Sequence, residues 1–474
     1  MTQDLHSLVA GEPVQSLERL TVHNPWDGSI AGTVAMATPE DLENAIRVGF
    51  GSHEPLTRYQ RAAILREARG QLEGRRQEFA DLIRSESGLC RRETWYEVGR
   101  TLDVLEFAAM EALRDDGQIF SCDLTENGKA RKIFTLREPV KLVAAITPFN
   151  HPLNQVAHKL APAIACDAPI ILKPSDKTPL TALRFAELLY QAGLPKDRLS
   201  VLLGSIEGVI TPLIQDERVE LVAFTGSVAI GKHIAATAGY KKVCLELGGN
   251  APLIVLEDAD LDMAVHLAAE GSFRNSGQRC TAVKRILVHE AILDRFTERF
   301  VERVKEYRSG DPNDPETRVG TVIDAQAAQR LHDVVQEAVA DGATILHGGA
   351  HENGSAHYPP TVIANVSRAS RMVVEESFGP LAPIMSFRDL DDAIALANGT
   401  AYGLSCGVVT NNMAAATRAV KEIRTGTVNI NEVPGYRIES SPFGGVKDSG
   451  LGIKEGVIEA MKFMTNTKTF SMPW

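Results

Sequence analysis

The sequence predicts an α/β fold with two domains built on parallel sheets and a small β arm. Between residues 140 and 256, five apolar runs alternate with helical segments, a pattern typical of strands buried on both faces of a parallel sheet. A second alternation of strands and helices follows residue 280. An Asn-Gly pair at 127–128 lies between two strand-like runs, and this pair strongly indicates a hairpin.

The N-terminal segment up to residue 115 is predicted to contain several helices. Thr38 precedes Pro39, Glu40 and Asp41, which supplies a capping hydroxyl, a proline in the first helical position and acidic residues in the first turn. Between residues 98 and 113, apolar residues recur at spacings of three and four and form one helix face. Arg114 stands at the C-terminal end of this helix.

The later elements follow from short apolar runs. The first sheet is predicted from residues 140–147, 169–173, 200–204, 220–226 and 251–256. The second sheet is predicted from RILVHE, ATILHG and GTVNIN, with helices over 292–308 and 326–341. The runs QIFSCDLT and ARKIFTLRE flank the Asn-Gly turn, and the C-terminal TNTKTFSMPW is predicted to add a strand to that hairpin.

Composition excludes several classes of partner. The 61 acidic and 50 basic residues give a formal net charge of −11, whereas proteins that neutralise nucleic acid phosphates usually present a basic face. The first residues lack the pattern of a signal peptide, and no apolar run reaches the roughly 18 residues needed to cross a bilayer. We therefore expect a cytoplasmic protein without a nucleic acid or membrane partner. The six cysteines form no CxxC pair, so we expect reduced thiols and no metal site.

One glycine-rich segment resembles a phosphate loop but departs from it. Residues 226–232 fit GxxxxGK, yet His233 follows where a P-loop needs a serine or threonine hydroxyl. The segment still joins an apolar strand to a helix that starts near Ser227, and such a helix N-terminus can bind a pyrophosphate. A plain strand-to-helix turn is the alternative, and no GxGxxG fingerprint occurs.

Three further segments carry groups suited to covalent catalysis. Glu246 lies in the apolar, glycine-flanked LELGGN, where desolvation would raise its pKa toward that of a general base. Asn150 ends a strand and offers an amide donor for an oxyanion. Cys280 follows Arg279, and a neighbouring cation favours the thiolate nucleophile. Each has a simpler explanation, namely a satisfied core glutamate, an asparagine in a turn and a structural cysteine.

These residues belong to a larger set of motifs. The set is ITPFNHP, LKPSDKTP, FTGSVAIG, LELGGN, NSGQRCT, EESFGP, YGLS, GTVNIN and SPFGGVKDSG. In this order and spacing, the sequence resembles the NAD(P)-dependent aldehyde dehydrogenase superfamily over nearly its whole length. The resemblance implies a Rossmann-type NAD(P)-binding domain (residues 1–117 and 140–248), an α/β catalytic domain (249–455) and an oligomerisation arm (118–139 and 456–474). It also implies a homodimer or homotetramer.

The resemblance assigns roles to individual residues. Cys280 would be the nucleophile, Glu246 the general base, and Asn150 with the Cys280 backbone N–H the oxyanion hole. An enzyme that passes its acyl group to phosphate or coenzyme A would not need such a base, so Glu246 argues for hydrolysis. The implied cofactor residues are Ile146, Thr147, Pro148, Phe149, Lys173, Ser175, Asp176, Gly204, Gly208, Phe224, Thr225, Gly226, Ser227, Gly231, Leu247, Gly248, Glu376 and Phe378.

Asp176 bears on the choice of cofactor. Lys173 and Asp176 would hold the adenosine ribose, and many NAD-using members of the family carry glutamate at the position of Asp176. A carboxylate there repels a 2′-phosphate, which favours NAD, while the shorter side chain leaves NADP open.

Basic residues indicate the class of aldehyde. Arg114, His158, Arg279 and Arg437 stand at or near positions that line the aldehyde tunnel in relatives, together with Thr281. Guanidinium forks bind tetrahedral oxyanions, so we expect an anionic aldehyde that bears a phosphonate or phosphate. The alternative is that these arginines reach solvent or pair with carboxylates such as Asp115 and Glu439.

Longer strings refine this expectation within the family. The strings LRDDGQIFSCDLTENGKARKIFTLREP, FNHPLNQVAHKLAPAIA and EVPGYRIESSPFGGVKDSG resemble the members that oxidise phosphonoacetaldehyde. Phosphonoformaldehyde and glyceraldehyde-3-phosphate, the latter in a nonphosphorylating reaction, remain as alternative substrates.

Overall fold

A computed structural model describes residues 3–51 and 53–474 of the chain. The described residues form two large sheets of seven strands and two small sheets of three strands. Helices cover the large sheets, which confirms the predicted α/β architecture. None of the described helices is long and apolar enough to cross a membrane.

The first large sheet has the topology of a dinucleotide-binding fold. Its strands are β2 (Leu8–Val9), β3 (Glu12–Pro13), β8 (Val143–Ile146), β9 (Ile170–Lys173), β10 (Leu199–Val201), β11 (Leu221–Thr225) and β12 (Lys242–Glu246). The spatial order is β12-β11-β8-β9-β10-β2-β3, and the first five strands are parallel. The chain order therefore reverses between β8 and β11, and ligands of such sheets bind beyond the carboxyl ends of the strands at this point.

Eight helices precede or connect these strands. They are α1 (Pro39–Phe50), α2 (Arg58–Gly74), α3 (Arg76–Ser87), α4 (Arg91–Ala112), α5 (Asn154–Cys166), α6 (Leu180–Gln191), α7 (Thr211–Gln215) and α8 (Val228–Thr237). Helix α1 begins with the predicted cap, because the Thr38 hydroxyl accepts the Asp41 N–H and the Asp41 carboxylate accepts the Thr38 N–H. Val98, Leu102, Leu105 and Ala109 lie on the buried face of α4, as predicted, whereas Leu113 follows the helix and is exposed.

The second large sheet begins directly after the first. Its strands are β13 (Ala251–Val255), β14 (Val283–His289), β15 (Thr344–His347), β16 (Thr361–Ala364), β17 (Leu381–Phe387), β18 (Ser405–Val409) and β19 (Thr427–Ile430). The order is β15-β16-β17-β14-β13-β18-β19, with only β15 antiparallel to its neighbour. The prediction that the run at 251–256 belongs to the first sheet was wrong, since β13 pairs with β14 and β18.

Helices of the C-terminal half flank this second sheet or lead to the arm. They are α9 (Leu261–Phe273), α10 (Leu293–Val304), α11 (Ala325–Ala340), α12 (Arg371–Val374), α13 (Leu390–Asn398), α14 (Met413–Glu422) and α15 (Val457–Phe463). The two helices predicted at 292–308 and 326–341 correspond to α10 and α11.

The arm forms as predicted. Strands β6 (Ile119–Ser121) and β7 (Arg131–Pro139) are antiparallel, and β20 (Thr465–Pro473) pairs with the full length of β7. The remaining strands, β1 (Gln3–His6), β4 (Arg19–His23) and β5 (Ile30–Ala35), form a separate small sheet. The strands of the two large sheets are separated between Glu246 and Ala251, close to the predicted boundary at residue 248. The domain boundaries themselves stay predictions.

Candidate active site

The three predicted catalytic residues come from loops at the ends of buried strands. Glu246 is the last residue of β12, and Asn150 lies four residues after β8. Cys280 lies between α9 and β14. Glu246 and Asn150 are only 4% and 6% exposed. The negative charge of Glu246 raises the pKa of Cys280, so the structure brings these two groups close together.

The Glu246 carboxyl has the environment of a general base. Both carboxyl oxygens are buried and have no hydrogen-bond partner among the described residues. Burial raises the pKa of this carboxyl to about 8, although the charges of Lys159, Arg437 and Lys454 act in the opposite direction. A Cβ atom on Gly444 would lie 2.5 Å from Glu246 Oε1, so a glycine there leaves room beside the carboxyl.

The environment of Cys280 differs from the expectation. Burial, followed by the charges of Glu376 and Glu246, raises the pKa of the thiol to about 12, while Arg437 and Arg279 oppose this shift only in part. Arg279 does not stabilise a thiolate strongly, because its Nη2 donates to the carbonyls of Glu270 and Gly271 at 3.3 and 3.1 Å. The charge of Arg279 acts in the predicted direction, since it lowers the pKa of Cys280, but burial outweighs it, and the thiol needs a base.

Asn150 is fixed against the loop that carries Cys280. Its Nδ2 donates to the Gln278 carbonyl at 2.8 Å, and Asn275 Nδ2 donates to the Asn150 carbonyl at 2.9 Å. One N–H of the Asn150 amide is therefore engaged and the other is left over. The backbone N–H of Cys280 has no hydrogen-bond partner within the part of the chain that the structure describes. These two donors suit an oxyanion hole.

The reversal point between β8 and β11 offers polar groups for a dinucleotide. The hydroxyls of Thr147 and Thr225 are buried at the ends of these neighbouring strands and have no partner among the described residues. Ser227 is the N-cap of α8, yet its side chain makes no capping hydrogen bond, whereas Thr38 caps α1. The N-terminal N–H groups of α8 therefore lack a side-chain acceptor, and such groups bind a pyrophosphate. This cleft fits a dinucleotide cofactor.

The predicted ribose residues lie at the end of β9. Lys173 Nζ lies 2.8 Å from Asp176 Oδ1, and the Asp176 side chain is 53% exposed. The Ser175 hydroxyl accepts the Lys177 N–H in this turn. Ile146, Pro148 and Phe149 lie at and after the end of β8, beside this turn.

The other predicted cofactor glycines have close neighbours. A Cβ atom on Gly204 would lie 2.4 Å from Val209 Cγ2, and Gly208 N–H donates to the Ser205 hydroxyl. A Cβ atom on Gly226 would lie 2.4 Å from Phe224 Cζ. These contacts explain the glycines through local packing.

Glu376 and Phe378 close the opposite side of the cleft. The Gly249 N–H donates to Glu376 Oε1 at 2.9 Å, and a Cβ atom on Gly248 would lie 2.3 Å from Glu376 Oε2. Burial raises the pKa of Glu376 to about 7. The Phe378 ring meets the Phe149 ring edge to face, with 5.8 Å between centroids, so this loop contacts the residues after β8.

The residues that follow Glu246 in the loop after β12 pack against neighbouring segments. Leu247 packs against Gly231 of α8, where an added Cβ atom would lie 2.3 Å from Leu247 Cδ2. The Ser449 hydroxyl donates to the Gly248 carbonyl at 2.7 Å. The loop after β12 therefore contacts α8 through Leu247 and Ser449 through Gly248.

Four residues form a buried charged group that we call the Glu439 cluster: Arg100, His158, Arg437 and Glu439. Arg100 Nε donates to Glu439 Oε1 at 2.5 Å, and His158 Nε2 lies 2.6 Å from Glu439 Oε2. The Arg437 guanidinium lies 3.8 Å from Glu439 Oε2 and stacks 4.0 Å from the centre of the Phe443 ring. Arg437 also lowers the pKa of Cys280, so the cluster lies beside the nucleophile.

The protonation of this cluster follows from burial. Burial lowers the pKa of His158 to about 4, so the imidazole is neutral at pH 7. Burial alone would raise the pKa of Glu439, but Arg100, His158 and Arg437 hold it well below its usual range. The alternative that the arginines pair with carboxylates is confirmed for Arg437, which pairs with Glu439, and Glu439 also contacts His158. Two guanidinium groups and one carboxylate carry the charge.

The structure does not bring Arg114 to this cluster, and that prediction is corrected. Its side chain is 65% exposed and pairs with Glu111 at 2.8 Å. Asp115, the other carboxylate considered, pairs with Arg58. Arg114 lies past the last residue of α4, where a long charged side chain reaches water. Thr281 lies against the loop that leads to Arg437, because a Cβ atom on Gly435 would lie 2.4 Å from its hydroxyl.

Arg100, and not the predicted Arg114, is the arginine that this part of the chain contributes to the Glu439 cluster. It lies 14 residues earlier on the same helix, which is roughly 20 Å along the axis at the usual rise per residue. Glu93, Glu97 and Arg100 recur at spacings of four and three and therefore share a helix face. Charged residues grouped in this way within an apolar helix were the signal that could have identified Arg100.

Comparisons with known proteins agree with this geometry. The sequence model of the aldehyde dehydrogenase family matches residues 13–470. Aspartate-semialdehyde dehydrogenase 1 from Pseudomonas canavaninivorans is 40% identical over 452 residues, which cover 95% of each chain. The 3-sulfolactaldehyde dehydrogenase of Priestia aryabhattai is 38% identical over 461 residues, which cover 97% of this chain and 96% of the relative.

Solved structures share the whole fold. Aldehyde dehydrogenase 21 from Physcomitrella patens, in complex with the reaction product succinate, has a TM-score of 0.95 at 36% identity, covering 100% of this chain and 99% of its own. NADP-dependent glyceraldehyde-3-phosphate dehydrogenase from Bacillus halodurans, complexed with NADP, has a TM-score of 0.95 at 31% identity, covering 99% of each chain.

Proposed function

This chain belongs to the aldehyde dehydrogenase family, and we propose that it oxidises a phosphonate-bearing aldehyde, phosphonoacetaldehyde, to the carboxylate with NAD. The observation that carries the substrate proposal is the convergence of three partly buried arginines, Arg100, Arg279 and Arg437, near Cys280. The Nε of Arg279 is buried without a partner among the described residues, so it retains a donor for a ligand.

The first half of the reaction requires an addition to the aldehyde. A hydride leaves the carbonyl carbon only after a nucleophile has added to it, and the Cys280 sulfur is that nucleophile. Because the Cys280 pKa is raised, the thiol proton must pass to a base, and Glu246 is the carboxyl placed to accept it. The oxyanion that forms is met by the Asn150 amide and the Cys280 backbone N–H.

The second half of the reaction releases the acid. The end of β8, the start of α8 and the Glu376 loop would hold NAD, which would accept the hydride when bound. After Glu246 has released the thiol proton to solvent, it accepts a proton from the water molecule that hydrolyses the thioester left on Cys280. Lys159, which pairs with Glu455, and Lys454 lie close enough to lower the pKa of Glu246 and so favour its ionised form. The balance is aldehyde, NAD and water to carboxylate, NADH and two protons.

A phosphonate suits the arginines for geometric reasons. Its three oxygens point in different directions and accept paired N–H groups from several guanidinium forks. Burial lowers the pKa of both Arg279 and Arg437, so a nearby negative charge would give these guanidinium groups compensation for their lost hydration. A bound dianion would supply that compensation in a site with little water.

A singly charged head group is the second candidate. Glu439 and Glu97 offset part of the positive charge, since Glu97 also raises the pKa of Arg100. The relatives named above act on aspartate semialdehyde and 3-sulfolactaldehyde, which carry a carboxylate and a sulfonate. Phosphonoformaldehyde lacks one methylene of the proposed substrate, a difference worth only about 10- to 200-fold in discrimination, whereas glyceraldehyde-3-phosphate is a longer phosphate ester with an added hydroxyl.

The arginines provide the experiment that tests the substrate proposal. Arg437→Ala and Arg279→Ala should each raise KM for phosphonoacetaldehyde roughly 10- to 100-fold, the range expected for one charge-assisted hydrogen bond. KM for acetaldehyde should change far less. Arg114→Ala is the matched control, because that side chain is exposed, and its kinetics should equal those of the wild type. Equal effects of Arg437→Ala on both aldehydes would contradict the proposal.

The cofactor preference is a separate prediction. Because Asp176 lies 2.8 Å from Lys173, the carboxylate partly neutralises the lysine that would otherwise attract a 2′-phosphate. We expect kcat/KM for NAD to exceed that for NADP. We expect Asp176→Asn to raise kcat/KM for NADP and so reduce the difference. A wild-type enzyme that prefers NADP would contradict this argument.

The arm supports the proposal of a homodimer or homotetramer. Its three strands expose several large apolar side chains that the chain itself does not cover: Ile119, Phe120, Leu124, Phe470, Met472 and Trp474. An exposed apolar sheet of this kind is typical of a surface that pairs with another chain.

A further inference from the structure

Lys284 is a fully buried lysine that neither the catalytic nor the substrate groups account for. It lies at the start of β14 and is only 1% exposed. Its Nζ donates to the Gly277 carbonyl at 2.6 Å and to the Gly379 carbonyl at 2.5 Å. No carboxylate among the described residues forms an ion pair with it. Burial of an ammonium group that only carbonyls contact costs free energy. We therefore looked for a role of Lys284 in the site.

One carbonyl belongs to the loop that carries Cys280 and the other to the loop that carries Glu376. The reaction requires these two loops to keep a fixed relative position. Gly277 lies three residues before Cys280, and Gly379 lies three residues after Glu376. The loops lead into β14 and β17, which are neighbouring parallel strands. Lys284 therefore joins the nucleophile loop to the loop on the cofactor side of the cleft.

Both loops have unusual backbone conformations at this junction. Asn275, Ser276 and Gly277 adopt φ values of 57°, 52° and 68° in succession, and Phe378 adopts 41°. Left-handed conformations of non-glycine residues persist only where the surroundings enforce them. The backbones also meet closely, because a Cβ atom on Gly277 would lie 2.2 Å from the Gly379 oxygen. Lys284 Nζ donates to the carbonyls of both loops at this junction and so satisfies them.

We propose that Lys284 is a positioning residue that fixes the Cys280 loop relative to the Glu376 loop, so that cofactor binding and thiol reactivity are coupled through it. The inference depends on Cys280 as the nucleophile and not on the anionic group of the substrate. Burial lowers the pKa of Lys284 to about 7, with Glu376 opposing the shift, and the neutral amine retains two N–H donors for the two carbonyls.

The test compares Lys284→Met with Lys242→Met. Lys242 also donates to two carbonyls, those of Phe463 and Thr465 at 3.2 and 2.8 Å, but it starts β12 at the end away from Glu246. The first readout is the rate at which iodoacetamide alkylates Cys280, followed by mass spectrometry of its peptide, with and without NAD. The second readout is kcat, and the third is Tm.

The expected result separates positioning from simple packing. In the wild type and in Lys242→Met, NAD should change the alkylation rate by the same factor. In Lys284→Met that factor should fall toward one, and kcat should fall roughly 100-fold, as for a misplacement of about 1 Å. If Lys284→Met does not fold, Lys284→Gln, which keeps a neutral donor, should show the same loss in smaller measure.

Two results would overturn the inference. One is a Lys284 variant whose alkylation rate responds to NAD as in the wild type, whatever its Tm. The other is a kcat within about twofold of the wild type in Lys284→Met. Because alkylation requires no aldehyde, failure of the substrate proposal would leave this result unchanged.

Discussion

Cys280→Ala is expected to abolish aldehyde oxidation while leaving cofactor binding intact. Without the sulfur there is no addition to the carbonyl carbon, and hydride loss from an unmodified aldehyde is not available. NADH formation followed at 340 nm should fall to background, whereas titration with NADH should give the same Kd as the wild type. The cofactor groups at the ends of β8 and β11 do not depend on the thiol.

Cys122→Ala provides the control for this substitution. Cys122 is partly exposed in the arm hairpin, away from the cleft, so its removal should not change kcat. Appreciable turnover in Cys280→Ala, or a comparable loss in Cys122→Ala, would remove Cys280 from the role of nucleophile.

We expect Glu246→Gln to block the reaction, either at thioester hydrolysis after one turnover or before the first hydride transfer. The amide keeps the size of the carboxyl but accepts no proton, and a lost general base costs roughly 100- to 10,000-fold in rate. A single burst of NADH without steady-state turnover would place Glu246 mainly in thioester hydrolysis. Loss of the burst as well would show that Glu246 also deprotonates Cys280. Stopped-flow measurement of NADH distinguishes the two outcomes.

The pH dependence of the wild type follows from the same carboxyl. Glu246 works in its ionised form, and burial raises its pKa to about 8, so kcat should rise with pH through that value and level off above it. Glu257→Gln, at an exposed carboxyl just after β13, should retain both the rate and this profile. Steady-state activity of Glu246→Gln equal to that of the control would refute the assignment.

The sequence predicted strands β8 to β11 and the apolar setting of Glu246 because each had a local cause. Apolar runs bounded by glycine and proline identify strands buried on both faces, and the capping pattern at Thr38 identifies the start of α1. Glu246 was predicted as a desolvated carboxyl from its apolar neighbours, and the structure leaves both of its oxygens buried without partners among the described residues. Such features depend on a few adjacent residues.

Features that depend on distant residues were not predictable in this way. The run at 251–256 looks like the strands before it, and only its partners β14 and β18 place it in the second sheet. Arg279 adjoins Cys280 in sequence and its charge lowers the pKa of the thiol, but its guanidinium donates to carbonyls of α9 and burial of the thiol outweighs its effect. Arg100 meets Glu439 across 339 positions of the chain.

The relative kcat/KM for phosphonoacetaldehyde and acetaldehyde tests the central claim most directly, because it asks whether the partly buried arginines recognise an anion next to the aldehyde. The same assay should include phosphonoformaldehyde, glyceraldehyde-3-phosphate, 3-sulfolactaldehyde and succinate semialdehyde. We predict that phosphonoacetaldehyde has the highest value and acetaldehyde the lowest. A higher value for acetaldehyde than for every anionic aldehyde would contradict the account, and a higher value for the sulfonate or carboxylate would replace the phosphonate with a singly charged group.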